Sequence, residues 1–586
     1  MIETAPNPLN IRWLGKVSYN DALAVQKALF TRGSENYLLL LEHPHVFTLG
    51  VRGDTSNILV NPSDIGADIV KTNRGGDVTY HGPGQLVGYP ILNLPGKRGG
   101  GMADTVAYVH SVEDLVIETL AHLGLANCGR VDQYPGVWVD PNSANPRKIA
   151  AVGVRLTRGR TMHGFALNIE PDMMYFDSII PCGIIDKSVT SLSREGIEAS
   201  MAEAVAIVSD LASKKWGKGN FSRMDVSWRT SRSELSPFSK GEGPGEIPKP
   251  VEENTPSASQ SVTIGRKSKK QERAEIAIGK KPEWMRIKAN MGSEYRELKK
   301  SIRSLELTTV CEEAGCPNIF ECWGQGTATF MALGERCTRA CGFCLVDTRK
   351  PQAIDHDEPK RIAKAVNQMN LEYAVITMVA RDDLKDGGAN HIREIINEVR
   401  YLNPQTSVEV LISDLKGNAD DLQTVFSANP DVMNHNIETI PRLQRQVRPS
   451  AGYARSLAVL AQAKEEGLVV KSSIMVGLGE TEQEMFETLK DLKEIGVDIV
   501  TIGQYLRPTM NHLPVQRWWT PEEFKEFKRI GEALGIPHVE SSPLTRSSYH
   551  AKEAETLAKN KASSLADRGG RYHARMQSGR TALNVS

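Results

Sequence analysis

Six of the eight cysteines in this 586-residue chain fall between positions 311 and 344, in two triplets. They are Cys311, Cys316 and Cys322, then Cys337, Cys341 and Cys344. Structural zinc sites bring Cys and His together in fours, usually in C-x₂₋₄-C pairs. A four-iron cubane takes one thiolate per iron, so a triplet leaves one corner open to another ligand. CTRACGFC (337–344) can wrap a cubane within a single loop. Cys182, in IIPCGI (179–184), poses a different question. A lone thiol with a basic partner can carry an acyl group, because the thiolate reacts and a nearby cation lowers its pKa. A buried structural thiol is the alternative. RGGDVTYHGPGQ (74–85) is too rich in Gly and Pro for regular structure throughout, and its glycines allow a backbone to approach a ligand closely.

These residues need elements to hold them. TATFMAL (327–333) reads as a strand leading into the second triplet. Six apolar runs follow, at 372–379, 407–413, 431–437, 469–478, 498–505 and 538–542, and read as buried parallel strands. Amphipathic segments at 480–496 and 521–535 read as helices between them. Repeated βα units imply an α/β barrel or partial barrel, with its chemistry at the carboxyl ends of the strands. Upstream, 36–50 reads as a strand running into a loop, 111–124 as a helix, and 136–140, 148–156 and 162–169 as strands. That is a compact α/β sheet domain.

Length favours several domains. The expected division is 1–215, a polar Ser-, Pro- and Gly-rich flexible linker at 216–281, a body at 282–560, and a polar tail at 561–586. The 71 basic and 71 acidic residues balance, so no net field favours nucleic acid or an anionic membrane. No apolar run approaches the roughly 20 residues that span a bilayer. The opening MIETAPNPLNIRW lacks the pattern of a secretory signal, and two cysteines outside the cluster make no disulfide framework. The expectation is a cytoplasmic protein with no nucleic-acid or membrane partner.

The second triplet and its following βα units resemble the radical S-adenosylmethionine motif. Both triplets together resemble lipoyl synthase, through KPEWMRIK (281–288), ARDDLKDGGANH (380–391), HNIETIPRL (435–443), TIGQYLRPT (501–509) and RSSYHA (546–551). That resemblance implies two 4Fe-4S clusters and S-adenosylmethionine. Cys337, Cys341 and Cys344 would hold the cluster that generates a 5′-deoxyadenosyl radical. Cys311, Cys316, Cys322 and Ser548 would hold an auxiliary cluster that yields sulfur. Ala380 departs from the family pattern, which has a carboxylate there.

Residues 10–215 resemble lipoyl(octanoyl) transferase, a family sharing its fold with biotin and lipoate protein ligases. The resemblance implies Cys182 as the thiol that takes octanoate as a thioester, and Lys148 as the base. It implies an acyl pocket of Arg74, Gly75, Gly76, Asp77, Val78, Thr79, Tyr80, His81, Ala151, Val152, Gly153, Gly164, Phe165 and Ala166. No P-loop-like GxxxxGK[ST] occurs, consistent with a donor that is already activated. The implied partners are octanoyl-acyl carrier protein, lipoyl carrier domains of 2-oxoacid dehydrogenases and of the glycine cleavage protein, and an electron donor such as ferredoxin or flavodoxin. Two rivals remain at this point: a radical methylthiolation enzyme acting on transfer RNA, and a lipoyl synthase whose N-terminal domain only recruits the carrier.

Overall fold

The computed structural model describes residues 8–96, 103–180, 188–228, 281–285, 327–549 and 551–557, with six isolated positions between 305 and 322. The linker region 229–280 and the tail from 558 lie outside the described residues.

Strand β1 (Leu9–Lys16) has almost every residue buried, as suits an interior strand. It pairs in parallel with β2 (Asn36–Glu42) and with β12 (Phe221–Asp225). Between β1 and β2 runs α1 (Tyr19–Thr31), whose first turn is capped by Ser18 accepting from the Asp21 amide. A small sheet of β3 (Val46–Leu49), β4 (Asp68–Lys71) and β5 (Val78–His81) follows. The main sheet continues with β6 (Gln85–Ile91), β7 (Cys128–Val131), β8 (Tyr134–Val139), β9 (Arg147–Thr157), β10 (Arg160–Asn168) and β11 (Ser188–Val189), in the order β12-β1-β2-β6-β10-β9-β8-β7, with β11 beside β9. Helices α2 (Thr105–His122) and α3 (Met201–Trp216) pack together against it. The sheet reaches past the expected domain end at 215: β12 lies beyond α3, and Trp228 stacks on Trp13 with ring centroids 4.5 Å apart.

The second body is a parallel sheet in chain order: β13 (Thr327–Ala332), β14 (Tyr373–Met378), β15 (Ser407–Leu411), β16 (Val432–Asn434), β17 (Val470–Val476), β18 (Ile499–Gln504) and β19 (His538–Ser541). The expected strands are present, shortened where their carboxyl ends turn into loops. At 431–437 the strand stops at Asn434, because the buried His435 side chain turns to the Ile412 carbonyl (2.9 Å) and the Ser456 hydroxyl (3.0 Å). The intervening helices include α4 (Glu358–Gln368), α5 (Ala389–Leu402), α6 (Ala419–Ser427), α7 (Tyr453–Glu465), α8 (Glu482–Ile495) and α9 (Pro521–Leu534). The last two start with capping boxes, Thr481/Glu484 and Thr520/Glu523, and end at left-handed Gly496 and Gly535.

The two bodies pack against each other. Helix α1 lies between its own sheet and helices α7 and α8. Arg12, on β1, reaches across with Nε 3.0 Å from both Asp491 carboxylate oxygens and Nη2 2.7 Å from Glu487. Tyr37 and Tyr453 donate to Asp491 at 3.1 and 3.0 Å. Burial opposes the charge on Arg12, but Asp491 and Glu487 outweigh it and hold the guanidinium pKa above its usual range. At the ends of α1, Arg455 pairs with Asp21 at 3.0 Å, and the Ser34 and Glu35 amides donate to Glu494 at 2.6 and 3.1 Å.

Inside the second sheet, Lys471 on β17 and Glu409 on β15 form a fully buried pair at 3.0 Å, with Tyr373 and Asn434 completing the Glu409 contacts. Breaking such a pair costs about 3–5 kcal/mol, whereas replacing both members with apolar groups is close to neutral. Lys471→Met is expected to lower unfolding stability by that amount in urea titrations. The double variant Lys471→Met/Glu409→Gln, which removes the charge and keeps an acceptor for Tyr373 and Asn434, is expected to recover part of it.

Candidate active sites

In the first body, a cavity of about 600 Å³ opens between the small sheet and strands β9 and β10. Twelve of the fourteen expected pocket residues line it. The exceptions are Val78 and Tyr80, which alternate on β5 with Thr79 and His81 and face the small hydrophobic core instead. Tyr80 meets His45 Nδ1 at 2.8 Å. Arg74 is nearly buried and its guanidinium donates to the Thr48 carbonyl and hydroxyl at 2.5 and 2.9 Å, which fixes the turn that carries Gly75 and Gly76.

Lys148 stands in the cavity wall on β9, with Nζ 5.3 Å from the centre of the Trp138 ring. Its stem passes over Gly136, where a Cβ would lie 2.7 Å from Lys148 Cε and 2.5 Å from the Ala150 carbonyl, and where φ is +131°. Only glycine fits there. Cys182 lies outside the described residues. On its two sides, the Ile180 amide donates to the Asn57 carbonyl at 2.8 Å, and Val189 pairs with Lys148.

The cavity also takes in Tyr19, Tyr89 and His163, which the motif reading passed over. His163 sits inside the quoted MHGFALNI, so a histidine beside a strand glycine was the available signal. Tyr19 had none, because α1 had no motif to mark it. His163 Nε2 lies 2.7 Å from Asn73 Oδ1, and His81 Nδ1 lies 2.8 Å from Gln85 Oε1. Burial lowers the pKa of His43 to about 4 and of His163 to about 3, and holds His81 well below the usual range. These imidazoles are neutral near pH 7.

In the second body, Cys337, Cys341 and Cys344 follow β13 at the carboxyl ends of the strands, as free, half-buried thiols on one loop. The Thr338 amide and hydroxyl both donate to the Ala380 carbonyl at 2.9 Å, so the position that departs from the family pattern anchors this loop through its backbone. Arg339 bridges Asp382 (2.7 and 2.9 Å) and Asp414 (2.7 Å). Gly342 donates to the Val447 carbonyl, and His512 Nε2 lies 2.9 Å from the Cys344 carbonyl. Burial raises the Cys341 pKa to about 12 and raises that of Cys344, with the neighbouring thiols adding to both. Bound iron would remove that penalty, since a coordinated thiol is deprotonated. Among the described residues no three His, Cys, Asp or Glu side chains are arranged to hold a single metal ion. The donor set is three thiols on one loop, which suits a cubane with one thiolate per iron. Glu438, half-buried with φ +65° and its pKa raised by burial, faces the same loop.

Cys311 and Cys316 lie outside the described residues. Cys322 is described, and its amide donates to the Asn318 carbonyl at 3.0 Å. Asn318 Nδ2 in turn donates to the Leu544 carbonyl at 2.7 Å, four residues before the half-buried Ser548. The segments bearing Cys322 and Ser548 therefore meet. Gly503 permits this: its Cβ would lie 2.0 Å from the Thr545 carbonyl.

Three family models match the chain: the lipoyl protein ligase A/B catalytic domain over residues 18–211, the N-terminal domain of lipoyl synthase over 230–316, and the radical SAM superfamily over 331–503. A lipoyl synthase of Rubrobacter xylanophilus is 56% identical over 275 residues, covering 47% of this chain and 86% of that protein. The chain belongs to the lipoyl synthase family. A lipoyl synthase of Nocardia farcinica is 51% identical over 299 residues, covering 51% of this chain and 85% of that protein. Membership in this radical SAM family implies 4Fe-4S chemistry and S-adenosylmethionine. The first body is a lipoate-ligase-like domain. A solved bipartite lipoate protein ligase of Thermoplasma acidophilum matches at 14% identity and a TM-score of 0.32, over 38% of this chain and 88% of that one. No described helix is long and apolar enough to cross a membrane.

The buried histidines of the first body set an acid limit. His43 is depressed to about 4, against about 6.5 when unfolded, so between those values the unfolded chain binds the extra proton. Its contribution is complete above pH 6.5 and is lost as pH falls toward 4. Denaturant titrations at pH 7.5 and 4.5 are expected to show a stability loss in the parent chain larger by roughly 2 kcal/mol than in His43→Gln.

Proposed function

We propose that this chain makes protein-bound lipoate in two steps: octanoyl transfer in the first body, then sulfur insertion at C6 and C8 in the second. The observation that carries the first step is Lys148 in the wall of a cavity that gathers residues from 74–81, 151–153 and 164–166. In this reading Cys182 attacks the thioester carbonyl of octanoyl-acyl carrier protein and expels the carrier's thiol. Lys148 takes the Cys182 proton. The amine of a carrier-domain lysine then attacks the Cys182 thioester, forming the amide and returning the thiol. The thioester conserves the donor's activation, so no nucleotide is consumed. A cavity of this size with neutral histidines and glycine-lined walls suits an eight-carbon acyl chain.

For the second step, Cys337, Cys341 and Cys344 would hold the cluster that works with S-adenosylmethionine, and Cys311, Cys316, Cys322 and Ser548 the auxiliary cluster, making two in all. When bound, these groups supply hydrogen abstraction from unactivated carbon and the sulfur itself. The chain's own residues hold the loop: Thr338 on Ala380, Arg339 on Asp382 and Asp414, and His512 on Cys344. The partners follow: octanoyl-acyl carrier protein as donor, lipoyl carrier domains of 2-oxoacid dehydrogenases and of the glycine cleavage protein as acceptors, and a ferredoxin- or flavodoxin-like reductant. In this reading the protein acts in the cytoplasm.

The steps separate by mutation. Cys182→Ala is expected to abolish octanoyl transfer and leave sulfur insertion into pre-octanoylated carrier intact, both read by intact-protein mass spectrometry. Lys148→Ala is expected to slow transfer by about 10²–10⁴-fold, the usual worth of general-base help. Cys341→Ala is expected to stop S-adenosylmethionine cleavage, while Cys316→Ala and Ser548→Ala retain cleavage but make no dithiolane. Full transfer by Cys182→Ala would remove that residue from the mechanism, and absent transfer by the parent chain would leave the first body as a non-catalytic carrier binder.

A further inference from the structure

The docking of the two bodies fixes more than their contact. Helix α1 runs alongside α7 in the same direction. Near its start, Asp21 meets Arg455 in the first turn of α7, and at its end Arg32 meets Gly496 and Lys464 beside the last turn of α7. The first turn of α7 lies at the carboxyl ends of the parallel strands, so the start of α1 lies there too. Asp21 Oδ1 comes within 2.8 Å of where Gly417 would carry a Cβ. Gly417 belongs to the turn after β15, and Asp414 of that turn holds Arg339 between Cys337 and Cys341. Two residues before Asp21, Tyr19 lines the cavity of the first body. The cavity and the cysteine loop therefore flank one ridge, formed by the start of α1 and the turn at 414–417. Exposed apolar side chains adjoin both sites in sequence: Val51 and Val106 beside cavity residues Arg52 and Thr105, and Leu345 beside Cys344, with Met510 two residues from His512.

We infer that the acyl cavity and the radical site open on a common face, held there by the α1 seam, and that a folded lipoyl carrier domain moves across this face from one opening to the other. This rests on the two-step reading above. Its occupant is set by that chemistry: a small folded domain with one extended, acylated lysine, which must present the same side chain to both sites in turn. The seam, rather than the length of chain between the bodies, sets the distance that the domain travels. A carrier held near the second opening acts at a raised effective concentration, without a channel.

The test keeps the full chain and its connecting segment, and opens the seam. In Arg12→Glu/Arg455→Glu, the new carboxylates face Glu487, Asp491 and Asp21, and none of these positions belongs to either site. Small-angle scattering is expected to show a larger radius of gyration with an unchanged circular dichroism spectrum; an unchanged radius would show that the seam does not set the arrangement and would overturn the inference. Each step is then measured alone, and both are expected within about twofold of the parent. Finally, the coupled reaction is run with isotopically labelled octanoyl donor and excess unlabelled octanoyl-carrier as trap. The parent is expected to convert labelled carrier to lipoyl product about tenfold more often than mixing with the trap predicts, and the opened variant only as often as mixing predicts. Equal capture by parent and opened variant would sink the relay. Failure of the two-step reading shows separately, as absent octanoyl transfer in the parent.

Discussion

One guanidinium joins the halves of this molecule. Arg12 is almost wholly withdrawn from water, a state that favours the neutral form of any ionisable group, yet two carboxylates from α8 hold it charged. Such a cluster adds little net stability over an apolar seam of the same shape, because desolvation offsets most of the attraction. What it adds is intolerance of misalignment. Sliding the bodies apart by a side chain's length strips the buried Arg12 of both its carboxylates, where a greasy seam would only lose area. The hydroxyls of Tyr37 and Tyr453 approach Asp491 from opposite bodies and tighten the same register.

Much of the second body was legible in the sequence, because buried parallel strands are continuous apolar runs and the helices between them carry explicit start and stop signals. Thr481 with Glu484, and Thr520 with Pro521 and Glu523, mark their boundaries to within a residue or two. The cysteine loop was legible as well, since spacing alone says that three thiols share a turn. The first body was harder. Its sheet mixes parallel and antiparallel pairs, and the strand that closes one edge, β12, comes after a helix and inside the stretch expected as linker from 216. No local pattern tells Phe221–Asp225 from the start of that linker; only its partner β1, more than 200 residues earlier, makes it a strand.

The seam was invisible for a related reason. Arg12, Asp21, Glu487 and Asp491 are ordinary charged residues on ordinary amphipathic elements, and sequence gives no sign that their neighbours lie over 400 positions away. Within the cavity, motif logic placed the glycine-rich turn but not the direction of alternate residues. Thr79 and His81 face the ligand space while Val78 and Tyr80 face a separate core, a distinction set by strand pleat and not by residue type. His163 and Tyr19 enter the same wall from a strand and a helix that share no motif.

The account stands on one chain performing both steps, and the direct measurement is a single-pot conversion. The purified, cluster-reconstituted protein is incubated anaerobically with octanoyl-acyl carrier protein, an unmodified lipoyl carrier domain, S-adenosylmethionine and a reductant, and the carrier's mass is followed. The expected result is an octanoyl-carrier mass that appears first and is replaced by the lipoyl mass, with no nucleotide added. A carrier that stays unmodified unless it is supplied already octanoylated, or unless ATP and free acid are added, would contradict it.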